Sequence, residues 1–170
     1  MLHFEEITNQ NLQEVCLLQV REEQRPFVAD NMLSLAEAFA TRNEGHAALP
    51  FAIYDDDTLI GFVMLGYGTL GDEEEPEIAA GNYCLWRLML GAAHQGKGYA
   101  RPILDWVVSY VKGFPCGPAR YLWLSYEPEN THGREVYRRY GFRETGEFCG
   151  EEIVAVLELG NPQEDGRGAE

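Results

Sequence analysis

Residues 94–101 read HQGKGYAR and stand between a predicted buried strand and a predicted helix. The strand lies in 82–91, NYCLWRLMLG, a nearly unbroken apolar run typical of a strand covered on both faces. The helix follows in 102–113, PILDWVVSYVKG, where apolar residues recur on one face. Pro102 fits its first turn, where a missing backbone N–H is tolerated. The glycine-rich turn therefore predicts free amide groups at a helix N-terminus, open to a ligand.

The N-terminal third predicts one strand and two helices. Residues 2–7 alternate between polar and apolar side chains, as a strand does. A helix capped by Thr8 or Asn9 follows, and after a break at Pro26 a second helix is capped by Asp30 or Asn31.

The rest of the chain alternates strands with two more helices. Two apolar runs surround an Asp-rich turn in 49–68, which indicates an antiparallel hairpin. Residues 120–126, RYLWLSY, predict a strand that a helix connects to strand 82–91, so this pair should be parallel within a mixed sheet. A helix ending at Gly141 and two strands with a turn near Cys149–Gly150 complete the order.

Length and charge limit the protein class. The chain has 170 residues and a formal net charge of −15, which argues against nucleic-acid binding and suits a cationic partner. We expect one domain over 1–160, a disordered tail over 161–170, and no membrane association because no long apolar run is present. The expected location is the cytoplasm, and four scattered cysteines and four scattered histidines indicate neither disulfides nor a metal site.

The turn at 94–101 alone allows two interpretations. It can be a tight connection, or it can hold a phosphate on the amides of Gly96 to Arg101. Its glycine spacing differs from the common nucleotide-binding loops. A second motif is therefore needed to decide between them.

That second motif is ENTHGREVYRRYGF at 129–142. Together with Gln95-x-x-Gly98-x-Ala100, it resembles the GCN5-related N-acetyltransferase (GNAT) family. The matching positions of the second motif are Asn130, Tyr137, Gly141 and Phe142, whereas Gly133 replaces the usual alanine. Within the family, the stretches around 83–100, 121–130 and 145–159 look most like bacterial spermine/spermidine (diamine) acetyltransferases.

The resemblance implies a fold and a co-substrate. The fold would be α/β (α+β), the GNAT fold, with a mixed central sheet of about seven strands, flanking helices, and parallel fourth and fifth strands that splay apart. The co-substrate would be acetyl-CoA, with no metal. The implied cofactor-binding residues are Leu88, Met89, Leu90, Gln95, Gly96, Lys97, Gly98, Tyr99, Ala100, Arg101, Asn130 and Tyr137.

The resemblance assigns Tyr137 as the acid that serves the departing thiolate, although packing of its helix would also explain a tyrosine there. Some polyamine acetyltransferases place an acidic residue where Trp86 stands here, so the base has to come from elsewhere. Candidates are Glu127, a carboxylate of the acidic loop 72–77, or a water relay. The candidate substrate-binding residues are Gln24, Phe27, Asn31, Glu75, Glu77 and Trp86.

The expected activity is acetyl transfer from acetyl-CoA to a primary amine, such as spermidine or spermine, by direct transfer in a ternary complex. One alternative is another small-molecule or peptide amine, such as an aminoglycoside or a peptide N-terminus. The other is a regulatory module that binds acyl-CoA without catalysis. A homodimer is compatible with the resemblance, and the sequence specifies no oligomeric state.

Overall fold

A computed structural model describes residues 1–160 of the chain as a seven-stranded mixed sheet with four α-helices. The strands are Leu2–Glu6 (β1), Ala47–Asp55 (β2), Thr58–Tyr67 (β3), Tyr83–Leu90 (β4), Tyr121–Tyr126 (β5), Arg143–Cys149 (β6) and Glu152–Glu158 (β7). The helices are Leu12–Leu17 (α1), Asn31–Asn43 (α2), Ala100–Lys112 (α3) and Thr131–Tyr140 (α4). The strand order is β1-β2-β3-β4-β5-β7-β6.

The parallel pair that the sequence predicts is present. β4 runs parallel to β5 in the register Tyr83↔Leu122 and Cys84↔Trp123, and α3 connects the two strands. The predicted mixed sheet of about seven strands is therefore confirmed, whereas the splaying of this pair stays a prediction.

The chain divides into two compact units. Among the described residues, the first unit comprises 1–66 and 85–99, and the second comprises 67–84 and 100–160. Our expectation of one domain over 1–160 stays a prediction, and the expected disordered tail over 161–170 lies outside the described residues.

The first unit contains β1, β2, α1 and α2. β1 pairs with β2 in antiparallel fashion, with Leu2 opposite Asp55 and Glu6 opposite Phe51. Its core consists of small and large apolar side chains: Val15, Ala38, Ala48, Ala52, Tyr54, Phe62, Met64 and Met89. Because these residues come from α1, α2 and three strands, apolar burial fixes the helices on the sheet.

The second unit contains α3, α4 and the last three strands. β7 lies between β5 and β6 and pairs with both in antiparallel fashion. Helix α3 is amphipathic, as the sequence predicts, and buries Ile103, Leu104, Val107 and Val111. A smaller apolar cluster in this unit joins Ala79, Trp123 and Val154.

The helix starts differ from the sequence-based expectation in one case. Helix α1 begins at Leu12 rather than after Thr8 or Asn9. The reason lies in Asn11, whose side chain accepts from the Thr8 N–H at 2.8 Å and donates to the Glu6 carbonyl at 3.0 Å. These bonds close a turn ahead of the helix, in which the Thr8 carbonyl also accepts from the N–H groups of Asn11 and Leu12 at 3.2 and 2.9 Å. Asn11, rather than Thr8 or Asn9, is therefore the N-cap.

The start of α2 agrees with one of the two expected caps. Asp30 is the N-cap, and its carboxylate accepts from the Leu33 N–H at 2.7 Å. Before it, a 3₁₀ turn at Glu22–Phe27 occupies the expected break and includes Pro26. Within residues 1–160, no helix is both long enough and apolar enough to cross a membrane.

Candidate functional site

Gln95 lies near the start of the turn at 94–101, and its half-buried side chain makes two hydrogen bonds. Its Nε2 donates to the Leu90 carbonyl at 2.9 Å, which anchors the turn to the end of β4. The same amide donates to Oε1 of Gln24 at 2.6 Å, in the 3₁₀ turn before α2. Gln95 therefore holds the start of the turn and also contacts a residue that the sequence assigns to the substrate.

Two glycines give the middle of the turn its shape. Gly96 has φ +74° and Gly98 has φ +84°, values that L side chains rarely adopt. A Cβ built on either glycine would meet nothing within 4 Å, so the backbone is open on that side. Lys97 between them is exposed. The open backbone is what a site for a phosphate on main-chain amides requires.

Tyr99 and Arg101 close the turn with contacts to different elements. In the first unit, the Tyr99 hydroxyl donates to Oδ2 of Asp55 at 2.7 Å, and this bond is the main reason that the pKa of Asp55 lies below its usual value. In the second unit, the Arg101 guanidinium stands 5.9 Å from the centre of the Tyr140 ring. Helix α3 begins at Ala100, and so its first amides lie next to the glycine turn along the chain.

The predicted pantetheine-binding residues form the end of β4. Met89 is buried, whereas Leu88 and Leu90 are half-buried. The backbone of β3 comes close here, because a Cβ on Gly61 would stand 2.6 Å from the Met89 carbonyl oxygen. A side chain at Gly61 would therefore displace the strand segment that carries these three residues.

Tyr137 lies in the middle of α4 and is packed between two aromatic rings. Its ring is stacked on Tyr126, with centroids 6.1 Å apart and an interplanar angle of 14°. Phe142 meets it edge-on at 5.7 Å. Burial, reinforced by Tyr126, raises the pKa of the Tyr137 phenol to about 12. Tyr137 is therefore protonated at neutral pH and can donate a hydrogen bond.

Asn130 serves as the N-cap of α4. Its Oδ1 accepts from the Gly133 N–H at 3.0 Å. A Cβ on Gly133 would stand 2.7 Å from Nδ2 and 2.9 Å from Oδ1 of Asn130. An alanine at this position, which the family usually carries, would therefore require the Asn130 side chain to shift.

The candidate carboxylates differ in their surroundings. Glu127 is half-buried directly after β5. Glu75 is half-buried, and its carboxylate accepts from the N–H groups of Leu70, Gly71 and Asp72 at 2.9 to 3.3 Å. Glu77 is exposed at the start of a short 3₁₀ turn. Glu75 thus fixes the backbone of its own loop.

The remaining predicted substrate residues belong to the first unit. Asn31 is buried, and its Nδ2 donates to the Val15 carbonyl at 2.8 Å, so it ties α2 to α1. Phe27 is half-buried at the end of the 3₁₀ turn. Trp86 packs against the core of this unit, with the Arg87 guanidinium 5.7 Å from its ring centre.

One ion pair of the first unit is absent from the sequence-based prediction. Nη2 of Arg87 lies 3.0 Å from Oε2 of Glu37 in α2, and both side chains are mostly buried. An arginine within the apolar run 82–91 requires a carboxylate partner, so the sequence indicated that Arg87 would form an ion pair. The sequence could not say which of the many acidic residues would supply it.

A second group that the sequence did not reveal lies in the second unit. Tyr126 donates to Oε1 of Glu144 at 2.9 Å, and Arg134 binds both oxygens of that carboxylate at 2.6 and 3.0 Å. Among residues 1–160, no group of three or more His, Cys, Asp or Glu side chains could hold a metal ion.

The fold and the two motifs are those of an acyltransferase that uses acetyl-CoA. The chain belongs to the acetyltransferase (GNAT) family, whose sequence model matches residues 12–142. It is therefore an N-acetyltransferase with acetyl-CoA as its co-substrate, as the resemblance implied.

One named relative matches most of the chain. The chain is 27% identical over 161 residues to the spermine/spermidine N(1)-acetyltransferase of Bacillus subtilis (strain 168), covering 93% of this chain and 99% of that protein.

Solved structures share the fold. A spermidine N-acetyltransferase from Vibrio cholerae in complex with CoA and spermine has a TM-score of 0.64 at 19% identity, covering 93% of this chain and 95% of that one. The aminoglycoside acetyltransferase AAC(6')-Ib in complex with coenzyme A has a TM-score of 0.72 at 16% identity, with the same coverage.

Proposed function

We propose that the protein transfers an acetyl group from acetyl-CoA to a primary amine of a polyamine, such as spermidine or spermine, by direct transfer in a ternary complex. The similarity to the Bacillus subtilis spermine/spermidine acetyltransferase supports this, because it extends over 93% of the chain. The net charge of −15 also favours a cationic acceptor over an anionic one.

The acidic loop 72–77 of the second unit is the observation that carries the polyamine proposal. Glu75 holds the loop through three backbone amides, and Asp72, Glu73, Glu74 and Glu77 remain exposed. The Glu74 carbonyl also accepts from the Gly150 N–H at 3.3 Å, which ties the loop to the β6–β7 turn. A fixed loop that presents several carboxylates attracts a flexible polycation without first having to be ordered.

We assign acetyl-CoA to the glycine turn and the segments next to it. The amides of Gly96 to Arg101 would accept the pyrophosphate, and the backbone of Leu88 to Leu90 would bind the pantetheine arm. Lys97 and Arg101 are exposed and would add positive charge near the phosphates. From the family motif we also assign Asn130 to acetyl-CoA, with its capping bond retained.

The acceptor amine has to lose a proton before it can attack. An alkylammonium of pKa about 10.4 is about 3.4 units from neutral pH, so freeing its lone pair costs about 4 to 5 kcal/mol. We propose that Glu127, directly or through a water molecule, accepts this proton. Its half-buried position after β5 agrees with that role.

Tyr137 would serve the leaving thiolate. With a pKa of about 12, its phenol keeps its proton throughout the neutral range. Complete transfer of the phenol proton to a thiolate of pKa about 8.5 would be unfavourable by about 5 kcal/mol. Tyr137 therefore acts mainly by donating a hydrogen bond as negative charge develops on the sulfur.

A second acceptor class has one observation in its favour. The TM-score is 0.72 for the aminoglycoside acetyltransferase and 0.64 for the spermidine enzyme, although likeness at such low identity concerns the fold alone. The test is thiol release from acetyl-CoA with spermidine, spermine, putrescine, an aminoglycoside and a peptide N-terminus. The highest kcat/KM should belong to a polyamine, and a higher value for another amine would overturn the assignment.

Two further measurements test the mechanism and the electrostatics. The KM for spermidine should rise between low and high salt, because exposed carboxylates are screened, and a flat KM would remove the role of the acidic loop. Incubation with acetyl-CoA alone should leave the protein unmodified by mass spectrometry. A trapped acetyl-protein would contradict direct transfer.

A further inference from the structure

Tyr126 is a buried residue of the second unit, and the mechanism above gives it no task. It is the last residue of β5, and its side chain is only 5% exposed. Its hydroxyl donates to Oε1 of Glu144 in β6 at 2.9 Å. A buried phenol with a defined partner holds its ring in one orientation.

Glu144 is itself fixed from the side of α4. Nε and Nη2 of Arg134 donate to its two oxygens at 2.6 and 3.0 Å, a two-point contact that sets the carboxylate plane. The guanidinium and the Tyr126 hydroxyl together hold the pKa of Glu144 below its usual range. Glu144 therefore stays charged and remains an acceptor for Tyr126 at neutral pH.

This network ends on Tyr137. The Tyr126 ring lies nearly parallel to the Tyr137 ring, at 6.1 Å and 14°, and Arg134 lies three residues before Tyr137 on the same helix. Phe142 contacts the Tyr137 ring edge-on, with an angle of 68° between the two ring planes. The contact of Glu144 and Arg134 with Tyr126 therefore reaches the Tyr137 ring through the Tyr126 ring.

We propose that Tyr126, held by Glu144 and Arg134, is a positioning residue that orients the Tyr137 phenol toward the departing sulfur. The proposal rests on the role given to Tyr137 in the proposed function. In this proposal Tyr126 acts on the reaction through Tyr137. Its removal should therefore affect kcat rather than the binding of acetyl-CoA.

The test compares Tyr126 variants in two backgrounds, using whichever amine of the acceptor panel reacts fastest. Tyr126→Leu removes the ring, and Tyr126→Phe removes only the hydroxyl that donates to Glu144. Glu144→Gln removes the negative charge and the two-point contact with Arg134. In the wild-type background, Tyr126→Leu should lower kcat about tenfold and the other two by about two- to fivefold, with the KM for acetyl-CoA unchanged. In the Tyr137→Phe background, none of them should lower kcat further.

The control is Tyr121→Leu, which removes an aromatic ring at the opposite end of β5 and should leave kcat unchanged. Equal losses from Tyr126→Leu in both backgrounds would overturn the proposal, since they would indicate a purely structural role. If Tyr126→Leu fails to fold, Tyr126→Phe and Glu144→Gln provide the same comparison, because both keep an aromatic ring at position 126.

A second readout does not depend on any acceptor. The phenolate absorbance of Tyr137 is the difference between a protein with Tyr137 and the same protein with Tyr137→Phe. In the Tyr126→Leu background this difference should titrate at a lower pH than in the wild type, because the Tyr137 ring is then less buried. An unchanged titration would contradict the contact itself. A shifted titration in a protein that acetylates no polyamine would instead leave the positioning contact standing and refute the proposed acceptor.

Discussion

The side-chain amide of Gln95 donates to Oε1 of Gln24 at 2.6 Å and so connects the glycine turn to the 3₁₀ turn before α2. Both residues belong to the first unit. The family motif assigns Gln95 to the cofactor, whereas Gln24 is a candidate for binding the acceptor. One hydrogen bond therefore joins residues that were assigned to two different ligands.

We expect this bond to be measurable as a coupling between the two residues. A double-mutant cycle of Gln24→Ala and Gln95→Ala should give a coupling of about 1 kcal/mol in the free energy of unfolding, the net value of a typical hydrogen bond. Urea titration provides the measurement. The same cycle with Gln19→Ala, whose Oε1 accepts from Arg25 instead, should show no coupling to Gln95. Additive effects of Gln24 and Gln95 would disprove the connection.

The glycine turn should depend on its backbone more than on its lysine. Gly98→Val places a β-branched residue at φ +84° and puts a side chain over the open amides, so acetyl-CoA binding should be lost. Lys97→Ala should weaken binding only about two- to fivefold, because an exposed lysine contributes little. Calorimetric Kd values for acetyl-CoA provide the comparison.

A matched control separates backbone strain from loss of the site. Gly45 follows α2 with φ +86° and likewise has nothing within 4 Å of a built Cβ. Gly45→Val should therefore cost a similar stability without changing the acetyl-CoA Kd. Equal Kd losses for Lys97→Ala and Gly98→Val would refute the assignment to backbone amides.

The fold could be predicted because local patterns and connectivity agreed. The apolar run 82–91, the amphipathic face of α3 and the strand 120–126 together required a parallel pair, and β4 and β5 form it. The start of α1 was predicted wrongly, since the Asn11 side chain makes two backbone hydrogen bonds in a turn that periodicity does not reveal.

The site was predictable only where a motif fixed the spacing. Gln95, Asn130 and Tyr137 stand in such motifs, whereas Glu37 and Glu144 do not. The contacts of these two with Arg87 and with Tyr126 join residues that are 50 and 18 positions apart in the chain. Long-range side-chain pairs depend on tertiary packing, and with so many acidic residues the sequence offers many equivalent partners.

Tyr137→Phe should lower kcat by about 10² or more and leave the KM for acetyl-CoA nearly unchanged, because the phenol acts on charge that develops only during transfer. Tyr140→Phe is the matched control on the same helix, since it loses only a hydrogen bond to Asp105 at 2.9 Å, and its kcat should stay at the wild-type value.

The pH profile gives a second check on Tyr137. With a pKa of about 12, the phenol loses its proton only as the pH rises through that value, so it should produce no fall in kcat between pH 7 and 10. If kcat of the wild type fell near pH 9 and this fall were absent in Tyr137→Phe, the phenol would be much more acidic than the structure implies.

Glu144 should contribute to acid sensitivity. Its pKa in the folded protein lies below 4.5 because Arg134 and Tyr126 stabilise the carboxylate. The resulting stability is present above the unfolded-state pKa and is lost as the pH falls through the lower folded-state value. Glu144→Gln should therefore flatten the decrease in unfolding free energy below about pH 4.5. Glu147→Gln, on the same strand, is the control, and an identical decrease in both variants would contradict the ion pair.

Replacing Gly133 by the alanine that the family usually carries should not stabilise the protein. In an open helix, Gly→Ala stabilises by about 0.5 to 1 kcal/mol, but here the new Cβ would stand 2.7 Å from the Asn130 amide nitrogen and disturb a cap worth about 1 kcal/mol. Gly133→Ala should therefore be neutral or destabilising in the wild type. In the Asn130→Ala background, where no cap remains to be disturbed, the same change should stabilise by about 0.5 to 1 kcal/mol. Urea unfolding of the four proteins measures this reversal, and a gain of equal size in both backgrounds would mean that the cap and the glycine are independent.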